Sequence, residues 1–204
     1  MSLSVEKLTC IRSDHLVFED VSFQVSAGEA LWIKGKNGAG KSSLLRICAM
    51  LLKPAQGDMK WLGKSCFDDP DSYRDKFLYV GHQDALKTAL TVAENLRFWA
   101  QYLGDGTIDR ALSEYELGPL KDTPTGLLSA GQKKRVNLAR LLITKAPLWI
   151  LDEPFSSLDQ LYIDLVKNQL DRHLEKGGTI LYSTHQLLSL NSSSSLVLDT
   201  MVSQ

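Results

Sequence analysis

Residues Gly35-Lys36-Asn37-Gly38-Ala39-Gly40-Lys41-Ser42 match G-x-x-x-x-G-K-[ST] without a gap. The stretch follows a short apolar run, Ala30 to Ile33, and precedes a helix-like segment read from Ser43 to Leu52. A strand, a glycine-rich turn and a helix in that order constrain the chain to a fold that presents a phosphate cradle. Glycines let consecutive backbone N–H groups converge on phosphate oxygens, and the helix adds its positive end. Lys41 is expected to reach the β- and γ-phosphates and Ser42 to ligate Mg2+, with Gly35, Asn37, Gly38, Ala39, Gly40 and Ser43 completing the nucleotide contacts.

With 204 residues, the chain can bury one substantial core, and 44% hydrophobic with 23% charged residues is ordinary globular usage. The net charge of −1 gives no electrostatic argument for a nucleic-acid footprint, and no nucleic-acid partner is expected. Cys10, Cys48 and Cys66 are scattered and lack C-x-x-C, which argues against a zinc site or a disulfide framework and fits reduced thiols. No apolar run approaches the length of a membrane span, and the N-terminus is amphipathic rather than leader-like. Any membrane is therefore expected to be supplied by another chain.

Along the chain, alternating apolar and β-branched residues predict two short strands from Val5 to Phe23 around an Arg12-Ser13-Asp14 turn. Lys64 to Lys76 reads as a polar loop, and Phe77 to Val80 as a strand. From Asp84 to about Leu120 the pattern turns helical, with Val92, Leu96, Trp99 and Leu103 on one face, and a second piece runs from Ile108 to Leu117. Ser129 to Thr144 is expected to be helical, and Leu148 to Leu151 a central parallel strand. The last quarter reads as a helix from Asp159 to Glu175, a strand from Thr179 to Ser183, a short helix and a strand near Leu196 to Leu198, with Asn191 to Ser195 as a surface loop. Strand–helix alternation around a phosphate loop predicts an α/β fold with a mostly parallel core sheet.

Asp152-Glu153 closes the Leu148 to Leu151 strand, at the sheet edge where open α/β folds bind ligands. There Asp152 would hold the Mg2+ shell through water, and Glu153 would polarise the attacking water. Leu128-Ser129-Ala130-Gly131-Gln132 is the second decisive stretch. Together with the phosphate loop, Asp152-Glu153 and His185, it resembles the ATP-binding cassette (ABC) ATPases across essentially the whole chain.

That resemblance implies the P-loop NTPase ABC fold: a single domain over 1–204, with a core from 1–83 and 129–204, an N-terminal antiparallel β subdomain, and a helical signature subdomain at about 84–128. It implies a head-to-tail homodimer formed with ATP, in which Ser129, Ala130, Gly131 and Gln132 of one copy complete the γ-phosphate site of the other. Ala130 stands where the signature usually has glycine, and is tolerated if its φ is negative. Gln83 matches the residue that senses Mg2+ and water, Asp159 the residue communicating across the interface, and His185 the switch histidine on the γ-phosphate. Arg12 takes the place of the usual adenine-stacking aromatic and could lie over the base as a cation.

A single cassette without a membrane span is similar to the energy-coupling subunit of a transporter. Gly81-His82-Gln83-Asp84, Leu86-Lys87-Thr88, the Ala130-containing signature, Leu148 to Phe155 and Ser183-Thr184-His185-Gln186 resemble the ATPases of bacterial c-type cytochrome biogenesis. This implies membrane subunits resembling CcmB and CcmC, a location at the cytoplasmic face of the inner membrane, and ATP hydrolysis coupled to haem delivery, export or chaperone release. The alternatives are another ABC exporter, for lipid, drug or peptide, and a soluble nucleotide-switched interaction protein. His82 is read as structural or coupling rather than as a haem ligand.

Overall fold

A computed structural model of the chain describes residues 2–103, 107–186 and 190–198. Contacts group these into two compact units, one of Met1–Tyr79, Pro147–Asp152 and Leu170–Gln204, the other of Val80–Ala146 and Glu153–Gln169. The second unit is wider than the 84–128 lobe anticipated from the helical pattern. It also takes in the signature helix and the start of the helix after Asp159.

The first unit holds two sheets. Strands β1 (Ser2–Arg12), β2 (His15–Ser26), β4 (Gln56–Trp61) and β5 (Lys64–Ser65) form an antiparallel sheet in the order β2-β1-β4-β5. The β1–β2 hairpin turns through Ser13 and Asp14, both at positive φ (48 and 63), as a tight hairpin turn requires. The second sheet has the order β6-β7-β8-β3-β9, from β3 (Ala30–Lys34), β6 (Phe77–Val80), β7 (Leu148–Asp152), β8 (Thr179–Ser183) and β9 (Ser193–Val197). Its β7–β8, β8–β3 and β3–β9 pairs are parallel. Every residue of β7 and β8 is buried, as expected for interior parallel strands. Helix α1 (Lys41–Cys48) shares one apolar core with both sheets through Leu44, Leu45, Ile47 and Cys48.

Helix α1 stops four residues short of the predicted Leu52. Met50 takes φ 55, and its N–H donates to Ile47 O while Leu51 N–H donates to Arg46 O, the paired bonds of a Schellman cap built without glycine. The 64–76 loop contains a one-turn helix, α2 (Pro70–Arg74), started by the Asp69 side chain on Ser72 N–H with proline in its first turn. Of the Ser-rich stretch predicted as a loop, Asn191 and Ser192 form a turn, whereas Ser193 to Ser195 belong to the edge strand β9, paired in register from Ala30↔Ser193 to Lys34↔Val197. Serines suit an exposed edge, where apolar side chains would invite further pairing. The short helix expected before it falls partly on 187–189, outside the described residues.

In the second unit, α3 (Val92–Leu103) begins eight residues later than the helical pattern from Asp84 suggested. Thr91 and Glu94 make a reciprocal capping box: Glu94 Oε2 accepts from Thr91 N–H at 2.8 Å and Thr91 Oγ1 accepts from Glu94 N–H at 3.2 Å. The buried Asn95 amide then shapes the preceding turn, donating to the carbonyls of Lys87, Leu90 and Thr91 and accepting from Lys87 N–H. Helices α4 (Asp109–Glu114) and α5 (Ala130–Leu138) follow, and α5 tightens into a 3-10 turn over Ala139–Leu142. Helix α6 (Gln160–Glu175) starts in this unit and ends in the first. The three cysteines are free and buried, and no helix among the described residues is long and apolar enough to cross a membrane.

Candidate functional site

In the first unit, parallel pairing aligns the C-terminal ends of three strands. Asp152 of β7 pairs with Ser183 of β8, and Ser183 with Ile33 of β3, so one row across the sheet leads into the phosphate loop on β3 and to Thr184-His185 on β8. This alignment brings together Gly35–Ser43, Asp152 and His185, which lie far apart in the sequence.

Gly40 ends the loop and precedes α1 with φ 94; a side chain there would also meet Val17 Cγ1 at 2.6 Å and Phe18 Cδ1 at 2.9 Å. Only glycine fits both the conformation and the space. Lys41 is buried, and its ammonium donates to Gly35 O at 2.9 Å and Lys36 O at 3.1 Å, so the loop's own carbonyls hold the cation over the cradle. Lys36, Asn37 and Gly38 form its exposed crest, while Ala39 and Ser43 are buried behind it and Ser42 is half-buried at the start of α1.

Asp152 is 1% exposed. Its Oδ1 accepts from Ser183 Oγ at 2.7 Å, while Oδ2 is buried with no hydrogen-bond partner among the described residues. A buried carboxylate oxygen left open fits a hydrated cation. The described residues contain no cluster of three or more acidic, His or Cys side chains for a metal, so one carboxylate and a serine hydroxyl, with phosphate oxygens and water, suit Mg2+ rather than a protein cage. Nearby, burial pushes the Tyr79 phenol up; a bond with Arg46 opposes this, and the Asp152 carboxylate adds to it.

Beyond β8, Thr184 is buried and His185 is exposed. Arg12 stands exposed at the end of β1, paired with His15 across the hairpin turn, on the sheet that sends Val17 and Phe18 against Gly40.

The second unit carries the remaining predicted residues. Ser129 caps α5: its hydroxyl accepts from Gln132 N–H at 3.2 Å, and Gln132 Oε1 accepts from Ser129 N–H at 2.9 Å. Ala130 is the first helical residue, and it is absent from the residues at positive φ, which meets the condition set on it by the sequence. At Gly131 a side chain would meet Ser157 O at 2.9 Å, so the signature packs directly on the segment leading to Asp159. Asp159 accepts from Tyr162 N–H at 3.2 Å and thereby caps α6. Glu153 takes φ 51, a conformation uncommon for a side-chain-bearing residue, and its carbonyl accepts from Ser156 Oγ at 3.1 Å. Gln83 is exposed in the turn after β6; the next residue, Asp84, accepts from Asn137 Nδ2 at 3.2 Å. Val17 was not singled out by sequence reasoning, and Ser183 and Ser157 entered it only as neighbours of His185 and Asp159, because their contributions are contacts between distant segments.

A family model described as ABC transporter matches residues 18–156. The cytochrome c biogenesis ATP-binding export protein CcmA of Rhodospirillum rubrum is 45% identical, over 95% of this chain and 84% of its own length. CcmA of Escherichia coli strain K12 is 40% identical, over 92% of this chain and 91% of its own. The chain belongs to the ABC transporter family, among its CcmA members. A solved ATP-binding subunit of an ABC transporter superposes with a TM-score of 0.83 at 32% identity, covering 92% of this chain and 80% of that one. An ATP-binding cassette solved as a dimer after hydrolysis, with ADP and Pi, gives 0.85 at 23% identity over 98% and 97%, a likeness of fold. As an ABC ATPase, the protein binds and hydrolyses ATP. The expected architecture, a mostly parallel core sheet with an antiparallel β sheet and a helical part, is the one observed.

Proposed function

We propose that this ABC ATPase supplies the energy for an export complex of c-type cytochrome biogenesis, working as one domain. The observation that carries the reading is 40–45% identity to CcmA proteins over more than nine-tenths of the chain. Two copies associate head to tail with ATP between them. Membrane subunits resembling CcmB and CcmC hold the dimer at the cytoplasmic face of the inner membrane, and closure of the dimer drives haem delivery, export or release of a haem-loaded chaperone.

In this reading the loop N–H groups and Lys41 bind the phosphates, and Arg12 lies over the base. Ser42, with Asp152 through water and Gln83, would hold Mg2+, which neutralises charge building on the phosphate oxygens. Glu153 accepts the proton of the attacking water, and His185 donates to the γ-phosphate. Ser129, Ala130, Gly131 and Gln132 of the second copy complete the anion site at a helix N-terminus, and Asp159 communicates between copies.

Deleting the gene and staining for covalently bound haem tests the proposal. Mature c-type cytochromes should disappear and return with the intact chain, but not with Glu153→Gln, whose ATP-bound dimer should persist while turnover falls by roughly 100-fold or more, the scale of a lost general base. Normal cytochromes in the deletion strain would instead assign the ATPase to another exporter.

A further inference from the structure

We propose that Trp32 is a positioning residue for His185, acting through the Thr184 carbonyl. The proposal rests on the γ-phosphate role assigned to His185 above.

Trp32 lies in β3, three residues before the phosphate loop, and its indole Nε1 donates to Thr184 O at 3.3 Å. Thr184 sits one residue beyond Ile33↔Ser183, the last paired position of β3 and β8. At that point the ladder has ended, and a side chain from the neighbouring strand takes the carbonyl. The indole is itself fixed. Its register partner on β8 is Tyr182, and the two rings stack with centroids 6.0 Å apart at 12°. The Lys34 ammonium lies 4.1 Å from the Trp32 ring centroid, and the Tyr182 hydroxyl is 3.2 Å from Ser193 Oγ of β9. Strands β3, β8 and β9 thus hold one ring that in turn holds one peptide.

The same peptide is restrained from its other side. Thr184 Oγ1 accepts from Gln186 N–H at 3.1 Å, a local side-chain turn, and the preceding Ser183 donates to Asp152. His185 is the exposed residue between these anchors. Its ring can reach a phosphate in one fixed direction only if the backbone carrying it is fixed, and Trp32 supplies the anchor on the phosphate-loop strand.

Trp32→Phe keeps one aromatic ring for Tyr182 and Lys34 and removes the N–H together with the second ring of the indole. With the purified protein at saturating ATP and Mg2+, turnover should fall about threefold to tenfold, the range of one neutral hydrogen bond, while ATP affinity stays unchanged. Exchange of the Gln186 amide with deuterium should quicken. Added to His185→Ala, Trp32→Phe should cost nothing further, since both changes remove the same oriented ring. Full turnover in Trp32→Phe, a loss that multiplies with that of His185→Ala, or a parallel loss of ATP affinity would each overturn the proposal. If His185→Ala alone hydrolyses ATP normally, the role given to His185 fails and takes the proposal with it; quicker Gln186 exchange would then mark the Trp32 bond as structural only.

Discussion

Helix α1 begins after Gly40 in a left-handed conformation, with no side chain accepting from its first N–H groups, whereas α5 begins at Ser129 inside a complete capping box. Both helix starts carry positive charge and unpaired donors by construction. At α1 those donors stay open, and the cation of Lys41 is stored on the loop's own carbonyls. At α5 the side chains of Ser129 and Gln132 already use two of the donors. The difference teaches that, on the proposed reading, the first site would bind phosphate unaided, while the second is self-satisfied. An anion at α5 must compete with the cap, so this end is suited to a phosphate already held elsewhere. That ordering fits ATP binding first and closure of a dimer second.

Gly40→Ala should have the largest effect. The new methyl would need φ near 94 and would collide with Val17 and Phe18, so the loop must rearrange at a cost of a few kcal/mol. ATP affinity measured by calorimetry should fall by roughly 100-fold or more at that cost, with circular dichroism confirming a folded chain. Unaltered affinity would mean that the open donors at α1 are not the phosphate site.

Ser129→Ala probes the opposite arrangement. Loss of the cap should lower stability by about 1 kcal/mol, and turnover by about tenfold, while the affinity of the separate chain for ATP is unaffected. Ser129→Asp separates the two roles: it caps the helix and so keeps the melting temperature, but its charge opposes a γ-phosphate and turnover should drop further. If both variants hydrolyse ATP normally, α5 has no part in the phosphate site.

These two ends also differ in how far sequence alone could describe them. The phosphate loop is legible because glycine, lysine and serine each have a local reason for their place, and strand and helix flank them. Asp152-Glu153 is legible from the apolar run that it closes. By contrast, nothing in the spacing relates Ser183 to Asp152 or Ser157 to Gly131, since those contacts join segments separated by the fold. The helix start at Val92 could have been read from T-x-x-E at Thr91–Glu94, but apolar periodicity masked it. Strand β9 was hidden for another reason: four consecutive serines have a loop's composition, and only pairing with β3 makes three of them, Ser193 to Ser195, part of a strand.

Ala130→Gly should have the smallest effect, and it locates where the signature cannot accept a side chain. Ala130 is exposed, helical and free of a positive φ, so nothing in its own conformation asks for glycine. The close approach is one residue later, where a methyl on Gly131 would stand 2.9 Å from Ser157 O. Glycine at 130 should therefore cost stability by about 0.5–1 kcal/mol through backbone entropy and leave turnover within about twofold. Thermal melting and steady-state hydrolysis of Ala130→Gly, run beside Gly131→Ala, decide the matter. A large gain in turnover with Ala130→Gly would show that the methyl holds the phosphate back from α5. A loss confined to Gly131→Ala would place the restriction at the contact with Ser157, where the signature helix meets the segment leading to Asp159.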